Sequence, residues 1–141
     1  DAGVPPERVV LVGVSQGGSV VAEFLRRRPR RFGGAFVVSA ALPGEDLDSR
    51  EVDATGGTGE GGEGKRSDGR PAGPLDGTPV ALDSSEDDPY VPVERVRATG
   101  RVFERADAAV ECRIDPGDGH GLSDATIGRV AARIEALLAE D

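Results

Sequence analysis

Short continuous apolar runs alternate along the chain with longer segments whose apolar residues recur at helical spacing. Residues 8–14, around Val9-Val10-Leu11-Val12, are β-branched, continuous and too few for a helix, which predicts a strand buried on both faces. Residues 16–28 place Val20, Val21, Phe24 and Leu25 on one helical face, and Pro29 ends that helix. Gly33-Gly34 leads into a second buried strand over 35–39. Two apolar strands joined by one helix make a βαβ unit, with parallel strands and a right-handed crossover. Further on, 78–82 predicts a third strand with Pro79 at its start. Residues 92–105 predict a helix with Val93, Val96, Phe103 and Ala106 inward and Pro92 in its first turn. Residues 109–114 predict a fourth strand with Val110, Cys112 and Ile114 on one face. Ser123 caps a last helix over 124–138, where Ile127, Val130, Ala131, Ile134, Leu137 and Leu138 share a face. The order β-α-β, then β-α-β-α, predicts an α/β fold with its chemistry at the carboxyl ends of parallel strands.

One stretch breaks this pattern. Between residues 40 and 77 the chain contains Gly56-Gly57-Thr58-Gly59-Glu60-Gly61-Gly62-Glu63-Gly64, with acids and no large apolar side chain. Such a segment buries too little surface to offset its ordering entropy. Residues 49–73 are therefore expected to be a flexible surface insertion within one domain spanning 1–141, since neither flank is long enough for a core of its own. A phosphate cradle is not expected there: the segment lacks the Lys and Ser/Thr of a P-loop and does not join a strand to a helix.

Composition narrows the class. The 141 residues carry 26 acidic and 17 basic side chains, a net charge of −9, and Lys65 is the single lysine. A halophilic source and an ordinary acidic protein from a GC-rich genome explain this balance equally well. Either way, no broad basic patch is expected to meet nucleic-acid phosphates. Arg26, Arg27, Arg28, Arg30 and Arg31 cluster where the first helix ends, and there cations offset the helix dipole. Cys112 is the only cysteine, so no disulfide within the chain and no cysteine-based metal site is expected; it reads as a small core residue. The sequence has no apolar stretch of membrane-spanning length and no signal-peptide pattern, so a cytoplasmic location is expected and a membrane span is not.

The chemistry gathers at Gly13-Val14-Ser15-Gln16-Gly17. An apolar strand, Gly-x-Ser-x-Gly and then a helix form the pattern of a nucleophile elbow. The tight turn pushes the serine Oγ outward, Gly13 and Gly17 are expected to leave room for it, and the helix start aims N–H groups at a forming oxyanion. A serine hydroxyl needs a base to accept its proton, and His120 is the only histidine. It lies in the turn-rich loop 115–121 after the last strand, on the same sheet edge as Ser15 if all strands are parallel. Asp83, Glu86, Asp87 and Asp88 sit after the third strand, and pattern alone does not choose among them as the acid that orients the imidazole. The chain order serine, acid, histidine is that of α/β-hydrolases.

Three blocks sharpen this. Gly13-Val14-Ser15-Gln16-Gly17-Gly18, Asp88-Pro89-Tyr90-Val91-Pro92 and Pro116-Gly117-Asp118-Gly119-His120 resemble, in order, the signatures of the carboxylesterase/phospholipase family, which includes the acyl-protein thioesterases. The resemblance implies the C-terminal portion of an α/β-hydrolase fold, a parallel sheet flanked by helices. It implies a serine esterase, with thioesters as a second substrate class left open, and with Ser15 as nucleophile, His120 as general base and Asp88 as triad acid, Asp87 being the fallback. The Gln16 backbone N–H becomes an oxyanion donor. Ser39-Ala40-Ala41-Leu42-Pro43 resembles the loop lining the family's acyl site, which makes Leu42 and Pro43 substrate-binding. The expected partner is a small-molecule ester, with a homodimer left open and no metal or organic cofactor. Family members carry further strands and a His-Gly loop ahead of the elbow, which supplies a second oxyanion N–H; the resemblance implies that this part is missing here. The insertion at 49–73 has no counterpart in the family. The alternative reading is a catalytically inactive, truncated hydrolase-like remnant that acts as a binding module or has no activity.

Overall fold

A computed structural model describes residues 3–44, 46–52, 73–116 and 121–140. The four apolar runs pair in chain order: β1 (Val10–Val14), β2 (Gly34–Val38), β3 (Pro79–Ser85) and β4 (Ala109–Asp115) form one parallel sheet ordered β1-β2-β3-β4. Val14 aligns with Val38, Val38 with Asp83, and Asp83 with Arg113, so all four carboxyl ends reach one rim.

Successive right-handed crossovers in one direction place their helices on the same side of a sheet. Accordingly α1 (Gln16–Arg27) and α2 (Val93–Arg105) share one face. Ala22 and Leu25 of α1 and Val96, Val102 and Phe103 of α2 pack there with Ala35, Val37, Val80 and Leu82 of the strands. The opposite face is met by α3 (Asp124–Ala139), where Phe36, Val38 and Ala81 pack with Val130. Ser123 caps α3 as its sequence position implied, its side chain accepting the Thr126 N–H. No helix among the described residues is long and apolar enough to cross a membrane.

The differences from expectation have physical causes. β3 runs on through Asp83, Ser84 and Ser85, which read as an acidic loop; pairing with Arg113, Ile114 and Asp115 of β4 keeps them in the sheet, and all three are buried. The buried side of α1 is Gly18, Ala22 and Leu25, whereas Val20 is 67% and Phe24 43% exposed. Cys112 is exposed rather than core, because β4 has a partner on one side only among the described residues. Ile127, Ile134 and Leu138 of α3 are also exposed: the face they would cover is narrow. Most of the proposed insertion, 53–72, lies outside the described residues, but its stems are anchored. Leu47 in a 3₁₀ turn (Leu47–Ser49), Val52 and Leu75 are all buried in the α1/α2 core.

Candidate active site

The first site element is the turn between β1 and α1. Ser15 has φ 60° and ψ −123°, a backbone conformation that L-residues avoid and that costs about 1–3 kcal/mol. Two contacts hold it there. The Ser15 N–H donates to Val38 O at 2.9 Å, tying the turn to the end of β2. A Cβ on Gly13 would lie 2.2 Å from Gly17 O, so only glycine lets the chain fold back this tightly. Gly17 was expected to serve the same purpose, but a Cβ there would meet nothing within 4 Å. The second close approach belongs to Gly18, whose Cβ would lie 2.6 Å from Ala40 Cβ, where α1 crosses the segment after β2. Ser19 Oγ fastens the same crossing by donating to Ala41 O at 3.1 Å. Ser15 does not cap its own helix with its side chain. Gln16 opens α1, where first-turn N–H groups have no intrahelical acceptor.

After β2, Ser39 takes φ 52° and is buried. Leu42, expected to bind substrate, is instead a core residue at 1% exposure. Its N–H donates to Thr99 Oγ1 at 2.9 Å and its carbonyl accepts from Arg95 at 2.8 Å, which pins the segment against α2 and turns the side chain inward. Pro43, next to it, is exposed.

After β3 the acids separate by environment. Asp83 faces α3: its Oδ2 accepts from Thr126 Oγ1 at 2.7 Å and from the Arg129 guanidinium. It is therefore already committed to the helix. Glu86 is exposed, and its N–H extends the β3–β4 pairing by donating to Asp115 O at 2.7 Å. Asp87 is exposed and its Oδ1 accepts from Ser85 Oγ at 2.5 Å. Asp88 is buried, and its Oδ1 accepts from the N–H groups of Tyr90 at 2.8 Å and Val91 at 3.2 Å. Two backbone donors thus fix the orientation of the Asp88 carboxylate, in a turn where Pro89 has no N–H to compete.

After β4 the chain reaches the same rim, but residues 117–120, His120 among them, lie outside the described residues. The chain is described again at Gly121, whose N–H donates to Ser39 Oγ at 2.9 Å. Ser15, Ser39, Asp88 and Gly121 therefore all belong to the segments that leave the carboxyl ends of the strands. Sequence reasoning missed Thr126 and Arg129, and it named Ser39 only as the first residue of the Ser39–Pro43 block. Ser39 lay at the end of a predicted strand, and Thr126 and Arg129 find their partner on β3, more than forty residues away.

The model of the prolyl oligopeptidase family matches residues 3–140. No curated protein matches. Among solved structures, a phospholipase/carboxylesterase from Dyadobacter fermentans is 27% identical with TM-score 0.68, the match covering 96% of this chain and 55% of that one. SOBER1 from Arabidopsis thaliana is 23% identical with TM-score 0.69, covering 96% and 56%, and a carboxylesterase from Bacillus cereus is 16% identical with TM-score 0.65, covering 94% and 51%. The chain thus spans just over half the length of these structures. Its fold is that of the α/β-hydrolases. The chain belongs to the prolyl oligopeptidase family.

Proposed function

We propose that the chain is the catalytic part of a serine hydrolase that cleaves carboxylic esters, with thioesters as a related class, through an acyl-serine intermediate. The observation that carries this reading is the backbone of Ser15, held at φ 60° and ψ −123° between Gly13 and the first residue of α1. Strain of this kind persists only where the surroundings enforce it. In the proposed mechanism His120 accepts the Ser15 proton as Oγ attacks the substrate carbonyl. The Gln16 N–H, at the positive end of α1, stabilises the oxyanion. His120 then protonates the leaving alcohol, and water releases the acid by the same steps in reverse order. Asp88 orients the imidazole; its burial and its two backbone donors support it over the exposed Asp87.

One observation favours another reading. The family description favours peptide bonds as substrates, which the same acyl-serine chemistry cleaves. A catalytically inactive, hydrolase-like binding protein is the alternative. A fluorophosphonate probe followed by peptide mapping decides between activity and inactivity: labelling is expected at Ser15 and absent in Ser15→Ala. Labelling elsewhere, or equal turnover by wild type and Ser15→Ala, defeats the hydrolase reading. Parallel assays with a p-nitrophenyl ester and a peptide anilide separate the two substrate classes, the ester being expected to react faster.

A further inference from the structure

We propose that the pocket between the sheet and α3 is a second binding site, for a free aliphatic monocarboxylate, separate from the rim where Ser15 stands; the inference does not depend on the hydrolase reading. The pocket has a volume of about 510 Å³, within the range of sites that hold small molecules. It is lined by the first three residues of β2, β3 and β4, so it lies at the amino ends of the strands, whereas Ser15 follows the carboxyl end of β1.

The space comes from how α3 is seated. Thr126 and Arg129, in its first half, hold the Asp83 carboxylate. In its second half Arg133 Nε donates to Gly33 O at 2.6 Å, and Leu137 O accepts from Arg8. The helix is thus fixed to the sheet by polar ties along its length, and small residues leave the gap beneath it. They are Gly34, Ala81 and Ala109 on the strands and Ala132 on the helix, with Phe36 as an aromatic wall.

The charges select the ligand. Arg113 pairs with Glu111 at 3.3 Å and Arg129 with Asp83. Arg133 lines the same pocket with no acid partner among the described residues; its hydrogen bond goes to a backbone carbonyl. One uncompensated cation beside an apolar floor matches one carboxylate on a hydrocarbon tail. A phosphate monoester, with about two negative charges at neutral pH, would meet that single arginine and the repulsion of Glu111. Arg129 adds a second reason for an anion: its Nε is buried without a hydrogen-bond partner, a donor that lacks an acceptor. The floor crosses two strand spacings, from β2 to β4, or about 10 Å, which suits a medium-length tail.

The test titrates the 141-residue chain with sodium octanoate at neutral pH in a calorimeter. Saturable one-to-one binding is expected. Octan-1-ol, with the same tail and no charge, should bind at least about tenfold more weakly, and octylammonium more weakly still. Arg133→Gln should weaken octanoate about 10- to 100-fold and leave octan-1-ol unchanged, which also shows that the pocket survives the substitution. Ala132→Phe, which fills the gap from an exposed helix position, should abolish the binding of both. Octanoate should raise the melting temperature of wild type and not of Ala132→Phe. Absence of saturable binding at millimolar octanoate overturns the inference, as does equal affinity for octanoate and octan-1-ol. Octanoate binding that is unaltered in both variants places the ligand elsewhere, the Ser15 rim included, and overturns it too. Should either variant fail to fold, the three ligands on wild type still decide whether an anion is selected. None of these readouts uses turnover, so failure of the hydrolase reading leaves them standing.

Discussion

The two faces of the sheet are held by different forces. On the α1/α2 face, Leu25, Val37, Val80, Leu82, Val96, Val102 and Phe103 are essentially inaccessible to solvent and form one continuous core. On the α3 face the buried apolar set is Phe36, Val38 and Ala81, and an open pocket of about 510 Å³ separates the sheet from Arg129, Ala132 and Arg133 of the helix. Polar ties hold α3 instead. They are the Asp83 carboxylate to Thr126 and Arg129, Arg133 Nε to Gly33 O at 2.6 Å, and Arg8 to Leu137 O at 3.5 Å. Dispersion and apolar burial are non-directional, so the packed face supplies stability; hydrogen bonds are directional, so the sparse face supplies placement. The proposed nucleophile is mounted on the first face, through α1. The helix that follows the proposed base is mounted on the second.

The largest effects should therefore come from the packed face. Phe103→Ala, at a fully buried position, is expected to cost about 3–5 kcal/mol in urea unfolding, whereas Ile134→Ala on the exposed side of α3 should cost under about 1 kcal/mol. Equal losses would mean that the two faces are packed alike. Gly13→Ala belongs with the large effects. Its Cβ would meet the backbone oxygen of Gly17, which no side-chain movement can relieve, so fluorophosphonate labelling should be lost even in protein that still folds.

Much of this division escapes a reading of the sequence, and the reasons are local. The element order, the parallel sheet, the elbow and the Ser123 cap are legible, because each depends on residues close together: an apolar run, a glycine beside a serine, a serine three residues before a threonine. The buried side of a helix depends on what covers it. Val20, Phe24, Ile127 and Leu138 have helical spacing and remain exposed, since periodicity marks an apolar face without naming its partner. Leu42 resembles a ligand-lining residue by its place in a block, yet its hydrogen bonds to Thr99 and from Arg95, more than fifty residues away, hold it in the core. Asp83 looks like part of a solvated acidic loop because its partners lie on α3. At the candidate site, the strand ends and the choice between Asp87 and Asp88 acquire geometry, while His120 lies outside the described residues.

A middle-sized effect probes the polar mount directly. Asp83 is 4% exposed, and its partner Arg129 retains 27% side-chain exposure. Asp83→Ala would strand a partly buried guanidinium and the Thr126 hydroxyl, at an expected cost of about 2 kcal/mol, below the range for a fully buried pair because Arg129 still reaches water. Adding Arg129→Met should recover part of that loss, and the double-mutant cycle measures the coupling. Full additivity would show that α3 is held by packing after all. Below this comes Gly17→Ala, which the motif alone would forbid. With nothing within 4 Å of the added methyl, at the second position of α1, the change should leave labelling of Ser15 intact and raise stability by up to about 1 kcal/mol.

The smallest expected effect is a polar tie on α1, where packing already does the holding. Glu23 accepts from Arg26 Nε at 3.0 Å and from Arg27 Nε at 2.6 Å. The hydrogen bond from Arg26, reinforced by Arg27 against a partial desolvation cost, lowers the Glu23 pKa from 4.5 to about 2. A carboxylate whose pKa is depressed on folding contributes stability that is complete above its unfolded pKa and is lost as pH falls through the folded one. The contribution of Glu23 should thus be present at pH 5 and fade between about 4.5 and 2. Because Arg27 is 67% exposed, its pair with Glu23 is worth no more than about 0.5 kcal/mol, and salt should weaken it. Urea midpoints of wild type and Glu23→Gln should differ slightly at pH 5 and converge as the pH is lowered toward 2. A gap as large as that of Asp83→Ala, or one that widens in acid, would mean that polar ties carry the α1 face as they carry α3, and the contrast between the two faces would disappear.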